Sequence, residues 1–175
     1  MKNFFITFVL LIGAGWAAQG QELSLATNIV DYANSGALNV EASYGFARHW
    51  SANAGMKYDG GGYARQQLYS VGARYWPWHI YSGWWVSGKM QYQEFNDAKK
   101  ITLKTSEGDR YGAGLGAGYA RMLSKHLNMD VGVGLWAGLG SYTTYACPTC
   151  GRIIDSGSKT FLLPNDLMMS LTWIF

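Results

Sequence analysis

Residues 166–175 read DLMMSLTWIF. Leu167, Met169, Leu171, Trp173 and Phe175 fall in one period-two register, and Asp166, Met168, Ser170, Thr172 and Ile174 in the other. Successive side chains of an extended chain point to opposite faces, so this stretch predicts a strand with one continuous apolar face. The register recurs upstream. Residues 128–139 set Met129, Val131, Val133, Leu135, Ala137 and Leu139 against Asn128, Asp130, Gly132, Gly134, Trp136 and Gly138. Residues 110–119 set Tyr111, Ala113, Leu115, Ala117 and Tyr119 against Arg110 and four glycines. Segments 84–93, 69–75, 50–58, 38–46 and 23–29 alternate likewise, the last most weakly, which makes eight expected strands.

The connections sort by length. Those at 47–49, 77–79 and 124–125 are tight turns, whereas 59–66, 96–109 and 146–165 are long and polar, and 31–36 is a short exception. Short turns at one end and long loops at the other are the habit of an outer-membrane barrel. The expected fold is therefore all-β, an eight-stranded antiparallel up-and-down transmembrane β-barrel.

Composition agrees with that reading. The chain has 175 residues, of which 49% are apolar, 15% aromatic and 14% charged, with 23 glycines against 3 prolines. Soluble domains carry about 25% charged residues, so a solvated outer surface is poorly supplied here. Disorder, collagen and coiled coil are excluded by the same mixture. The net charge of +3 and the lack of a basic tract argue against nucleic acid as a partner.

Residues 1–20 read as a secretory signal peptide, with Lys2 as the positive region, Phe4 to Ile12 as the apolar stretch and Ala18-Gln19-Gly20 as small residues at the cleavage positions. Residues 21–175 form the expected barrel domain. No later segment supplies the ~18 apolar residues of a membrane-spanning helix, although a barrel strand needs only about 9 to 11 residues.

Periodicity alone does not say which face meets lipid. The second face decides, since it carries mostly Gly, Ser, Asn and Gln instead of the Lys and Glu of a solvated surface. Small side chains suit a narrow interior, and eight strands leave one that side chains can fill. Glu41, Lys57, Arg74, Lys89 and Asp130 lie on this face in five different strands, and charges so confined are expected to form a paired network. Aromatic residues sort by height, Trp50, Trp76, Trp78, Trp173 and Phe175 near the short turns and Tyr58, Tyr69, Tyr92, Tyr111 and Tyr142 near the long loops. Two interfacial girdles are expected from that arrangement.

With these features in place the chain resembles a small OmpA-type barrel, and its aromatic end at Phe175 resembles the terminal strand that the barrel assembly machinery recognises. ATNIVDYANSGALNVEASYG, RYWPWHIYSGWWVSGKMQYQEFN, the Cys147-Pro148-Thr149-Cys150-Gly151 loop and LPNDLMMSLTWIF resemble the domain of unknown function thirty-five seventy-five family, a bacterial outer-membrane barrel family. The likeness covers nearly all of Leu23 to Phe175. It implies the outer membrane of a Gram-negative bacterium and outer-membrane lipid as surroundings, but no established activity. Family genes often neighbour those of fimbrillin-like proteins, which implies a surface or fimbrial protein as partner.

Other motifs carry less. Cys147 and Cys150 lack the second ligand pair of a zinc site and the βαβ setting of a redox motif, so a local disulfide pinning the last loop is expected. The glycine-rich runs 112–117 and 132–137 match a dinucleotide fingerprint only loosely, because neither opens a helix, and no cofactor is expected. His49, His79 and His126 sit at the short turns, away from Asp31, Glu94 and Asp109 near the other end. A base beside a nucleophile at the outer leaflet is thus missing, and no catalytic residue is assigned. The expected function is a non-enzymatic barrel with a filled lumen that presents its long loops outside the cell. Alternatives are a lipid-modifying barrel enzyme and a narrow small-solute pore.

Overall fold

The computed structural model describes residues 23–60, 64–98, 104–146 and 151–175. The strands are β1 (Leu23–Asn28), β2 (Leu38–Ala47), β3 (Trp50–Asp59), β4 (Ala64–Tyr75), β5 (Gly83–Ala98), β6 (Thr105–Met122), β7 (Leu127–Tyr145) and β8 (Ile153–Ile174). Each pairs antiparallel with the next, and β8 pairs with β1 to close an eight-stranded barrel. The expected signal peptide and the Cys147/Cys150 pair lie outside the described residues.

The alternation that defined the strands also defines the two faces. Ser24, Ala26, Asn28, Glu41, Ser43, Ser51, Asn53, Arg74, Trp85, Ser87, Gln91, Asp130, Ser170 and Thr172 are buried, whereas Leu25, Val40, Met56, Val71, Val86, Met90, Leu115, Val133, Leu135 and Leu167 are exposed. Polar groups therefore face in and apolar ones out.

Strand lengths climb around the barrel, from 6 residues in β1 through 10, 10, 12, 16, 18 and 19 to 22 in β8. The short-turn end is common to all strands, so the opposite rim rises as a spiral. Closure then sets the longest strand beside the shortest. Pairing between β1 and β8 stops at Asn28↔Ser170. Among the described residues no strand pairs with Ile153–Met168 on the β1 side.

Three expectations on connections are corrected. Within the expected loops 59–66, 96–109 and 146–165, residues 59, 64–66, 96–98, 105–109 and 153–165 are strand, whereas 61–63, 99–103 and 147–150 lie outside the described residues. The expected tight turn at 77–79 is a longer connection, 76–82, that folds inward. The expected loop 31–36 belongs largely to a helix, α1 (Ile29–Ser35). Asn28 caps it by accepting from the Val30 N–H at 3.1 Å, and Gly36 ends it at φ 70° with its N–H donated to the Tyr32 carbonyl at 2.9 Å. A left-handed residue there suits glycine, which has no Cβ to clash.

Candidate functional site

The interior has three levels. At the short-turn end, Trp76, Ile80, Tyr81, Trp85, Ala120 and Ile174 form one buried cluster. Trp76 is 0% exposed and donates its indole N–H to Ser51 Oγ at 3.0 Å. Trp76 thus leaves the expected interfacial set, because the 76–82 connection turns it inward. Asn128 donates its side-chain amide to the Tyr81 carbonyl. Trp85 occupies space that only glycines leave free, since a Cβ on Gly118 would collide with the Val131 carbonyl oxygen and stand 2.5 Å from the Trp85 ring.

Above this cluster lie the charges. Arg74 pairs with Glu41, its other amino nitrogen lies 3.8 Å from Asp130 Oδ2, and Lys89 also pairs with Glu41. Thr172 donates to Asp130 at 2.8 Å, and the Arg74 guanidinium stacks 4.7 Å from the Trp85 ring centre. Lys57 pairs with Asp31, which also accepts from Asn28 at 3.1 Å and Asn39 at 3.0 Å. Three carboxylates and three cations therefore share this level of the interior. Beside them lies a space of about 30 Å³ lined by Asn28, Glu41, Lys57, Arg74, Lys89 and Gln91 among others.

Toward the rim the inner face turns aromatic. Trp136 meets Phe161 edge-on at 4.7 Å, and the Arg110 guanidinium lies 4.2 Å from the Phe95 ring centre. A register shift between β7 and β8 at Gly132/Gly134 changes the parity of β8 above it, so Phe161 and Lys159 share the inner face with Trp136. Tyr142 belongs to the same inner face, donating to Asp155 at 3.1 Å with Lys159 Nζ 4.5 Å from its ring centre. It is thereby corrected from the expected girdle.

The other aromatics of the expected girdles are on the outside. Trp50, Trp78, Trp173 and Phe175 are exposed near the turns, and Tyr58, Tyr69, Tyr92 and Tyr111 toward the rim. Tyr69↔Tyr92 and Tyr92↔Tyr111 are cross-strand partners, so these three form a row. The eight residue steps from Tyr111 to Tyr119 on β6 span about 26 Å along the strand at ~3.3 Å per residue. With a tilt of about 40°, the band between the rows is roughly 20 Å tall.

Immediately past the tyrosine row the outer face becomes polar. Gln67↔Glu94, Glu94↔Asp109 and Asp109↔Ser141 run across four strands, followed by Asn96↔Glu107 and Glu107↔Thr143. These residues line an open hollow of about 420 Å³. A hydrogen bond to Glu107 pushes the Tyr145 phenol above its ordinary range, because the bond favours the protonated form. All three histidines are at the opposite end, where His49 Nδ1 lies 2.9 Å from the Trp76 carbonyl and His126 Nδ1 3.0 Å from that of Ile174.

Reading residue types alone missed Asp31 as the partner of Lys57, and also the inner aromatic level. Asn28 followed three residues later by Asp31, with Gly36 beyond, is a helix-capping pattern that would have placed Asp31. Among sequence families, the model described as "Protein of unknown function (DUF3575)" matches residues 5–175. No curated protein matches the chain.

Proposed function

The chain belongs to the DUF3575 family of proteins of unknown function, and from its geometry we propose a non-enzymatic barrel of the Gram-negative outer membrane that holds a raised rim outside the cell. The observation that carries this reading is the exterior band of Leu115, Val133, Leu135, Val86, Met90, Val71 and Met56, exposed on a closed barrel between tryptophan and tyrosine rows. A soluble protein rarely exposes apolar patches beyond a few hundred Å², whereas a bilayer covers such a band.

The interior supports a scaffold better than a pore. Trp76 and Trp85 fill the turn end, and the space of about 30 Å³ beside the ion pairs has room for about two waters. The outer polar face supports binding rather than catalysis, because the carboxylates Glu94, Glu107 and Asp109 stand at the rim while every histidine stands at the turns. The rim segments of β5–β8 take the role the sequence reading gave to loops, meeting surface or fimbrial proteins.

A Ser156→Cys variant tests the orientation in cells, in a background with Cys147 and Cys150 replaced by serine. A membrane-impermeant maleimide is expected to label it on intact cells. Labelling only after the envelope is breached contradicts the proposal. Incubation of the folded protein with outer-membrane lipid is expected to leave acylation unchanged by mass spectrometry, and a changed acyl pattern overturns the non-enzymatic reading.

A further inference from the structure

Among the described residues, the step between β1 and β8 leaves the edge of Ile153–Leu163 without a strand partner on the β1 side. Residues 151–160 are all exposed, and Ile153–Leu163 is free of proline. Such an edge offers a row of backbone N–H and C=O groups and is a template for pairing with another strand. Side chains on it name the partner. Read antiparallel against itself about Gly157, the segment sets Asp155 opposite Lys159 of a second copy, Ile153 opposite Phe161, Ile154 opposite Thr160 and Ser156 opposite Ser158. Opposite charges meet, apolar residues meet, and small polar residues meet. The two-fold axis makes each of these pairs occur twice. At the axis itself Gly157 is the smallest residue, and a Cβ there would still sit in ordinary contact, 3.4 Å from the Tyr142 hydroxyl.

We propose that the open edge of β8 pairs antiparallel with β8 of a second copy of this chain, in the register that sets Asp155 against Lys159. In this arrangement β7 and β8 of both copies form one four-stranded sheet above the barrels. Asp155 and Lys159 already stand on one face with Tyr142 between them, so the two copies continue that face. Barrels in one membrane all point the same way, whereas antiparallel strands require opposite directions. The pair therefore joins proteins held in two facing membranes. That last consequence rests on the outward rim proposed above, but the pairing itself does not.

Charge reversal in detergent micelles tests the pairing, with mass followed by light scattering. Wild type is expected to dimerise. Lys159→Asp alone sets two carboxylates against each other across the pair, and Asp155→Lys alone sets two ammonium groups against each other, so each is expected to weaken self-association about tenfold. Mixing the two single variants pairs a carboxylate with an ammonium group at both symmetry-related contacts and is expected to restore dimers, as is the Asp155→Lys/Lys159→Asp double variant. In the cysteine-free background, Gly157→Cys is expected to form a disulfide with its counterpart. A wild type that stays monomeric, or a dimer indifferent to either reversal, overturns the proposal. Surface labelling of Ser156→Cys reports separately on which way the rim faces.

Discussion

Two stretches of one wall differ in what surrounds them. Between the tryptophan and tyrosine rows, β2–β8 are apolar outside and carry ion pairs inside. Beyond the tyrosine row, β5–β8 are polar outside, mixed inside and open along the edge of β8. The lower stretch is held by closure and by side chains that have only one place to go. In the upper stretch the backbone ladder remains, but little else constrains the side chains. The barrel body is therefore intolerant of change, whereas the rim is free to present a surface.

The sharpest way to break this contrast is at the ion pairs. Glu41→Ala leaves Arg74 and Lys89 facing each other without their shared carboxylate. A buried charge stripped of its partner costs about 3–5 kcal/mol, which urea unfolding in micelles is expected to register. Gly118→Val comes next, because its Cβ meets the Val131 backbone as well as the Trp85 ring. Overpacking of this kind costs about 1–3 kcal/mol, and the same unfolding curves measure it. At the edge of the body, Asn28→Ala removes the cap of α1 and one hydrogen bond to Asp31. A loss of about 1 kcal/mol is expected. The rim should respond least. Ser156→Ala and Ser158→Ala are exposed, and stability is expected to move by no more than about 0.5 kcal/mol. A rim substitution as costly as Glu41→Ala would erase the distinction between the two stretches.

The same contrast explains how far the sequence was legible. Within the band, Leu115, Val133 and Leu135 must be apolar and their neighbours small or polar, so period two is written plainly into β6 and β7. Beyond it the outer face is polar and the inner face mixed, and residues 153–165, IIDSGSKTFLLPN, show no alternation and contain Gly157 and Pro164. Turn residues in a polar stretch read as loop, although the ladder with β7 holds them as strand from Tyr145↔Ile153 to Gly134↔Asn165. A one-residue register shift near Gly132 hid the inner placement of Phe161 and Lys159 by changing parity midway along the strand. Glu41, Lys57, Arg74, Lys89 and Asp130 could be named because each sits in a well-alternating segment. Asp31 could not be joined to Lys57 without the helix that follows Asn28. Trp76 and Tyr142 were misplaced for one reason: height along the chain was read without the face on which each side chain stands.

Spin labels read the central claim most directly in protein reconstituted into lipid bilayers. Labels at Leu115 and Leu135, in the exterior band, are expected to be relaxed by dissolved oxygen and shielded from an aqueous nickel reagent. Labels at Ser156 and Thr143, past the tyrosine row, are expected to show the reverse. Nickel access to Leu115 and Leu135 equal to that at Ser156 would place the band in water and contradict a membrane barrel.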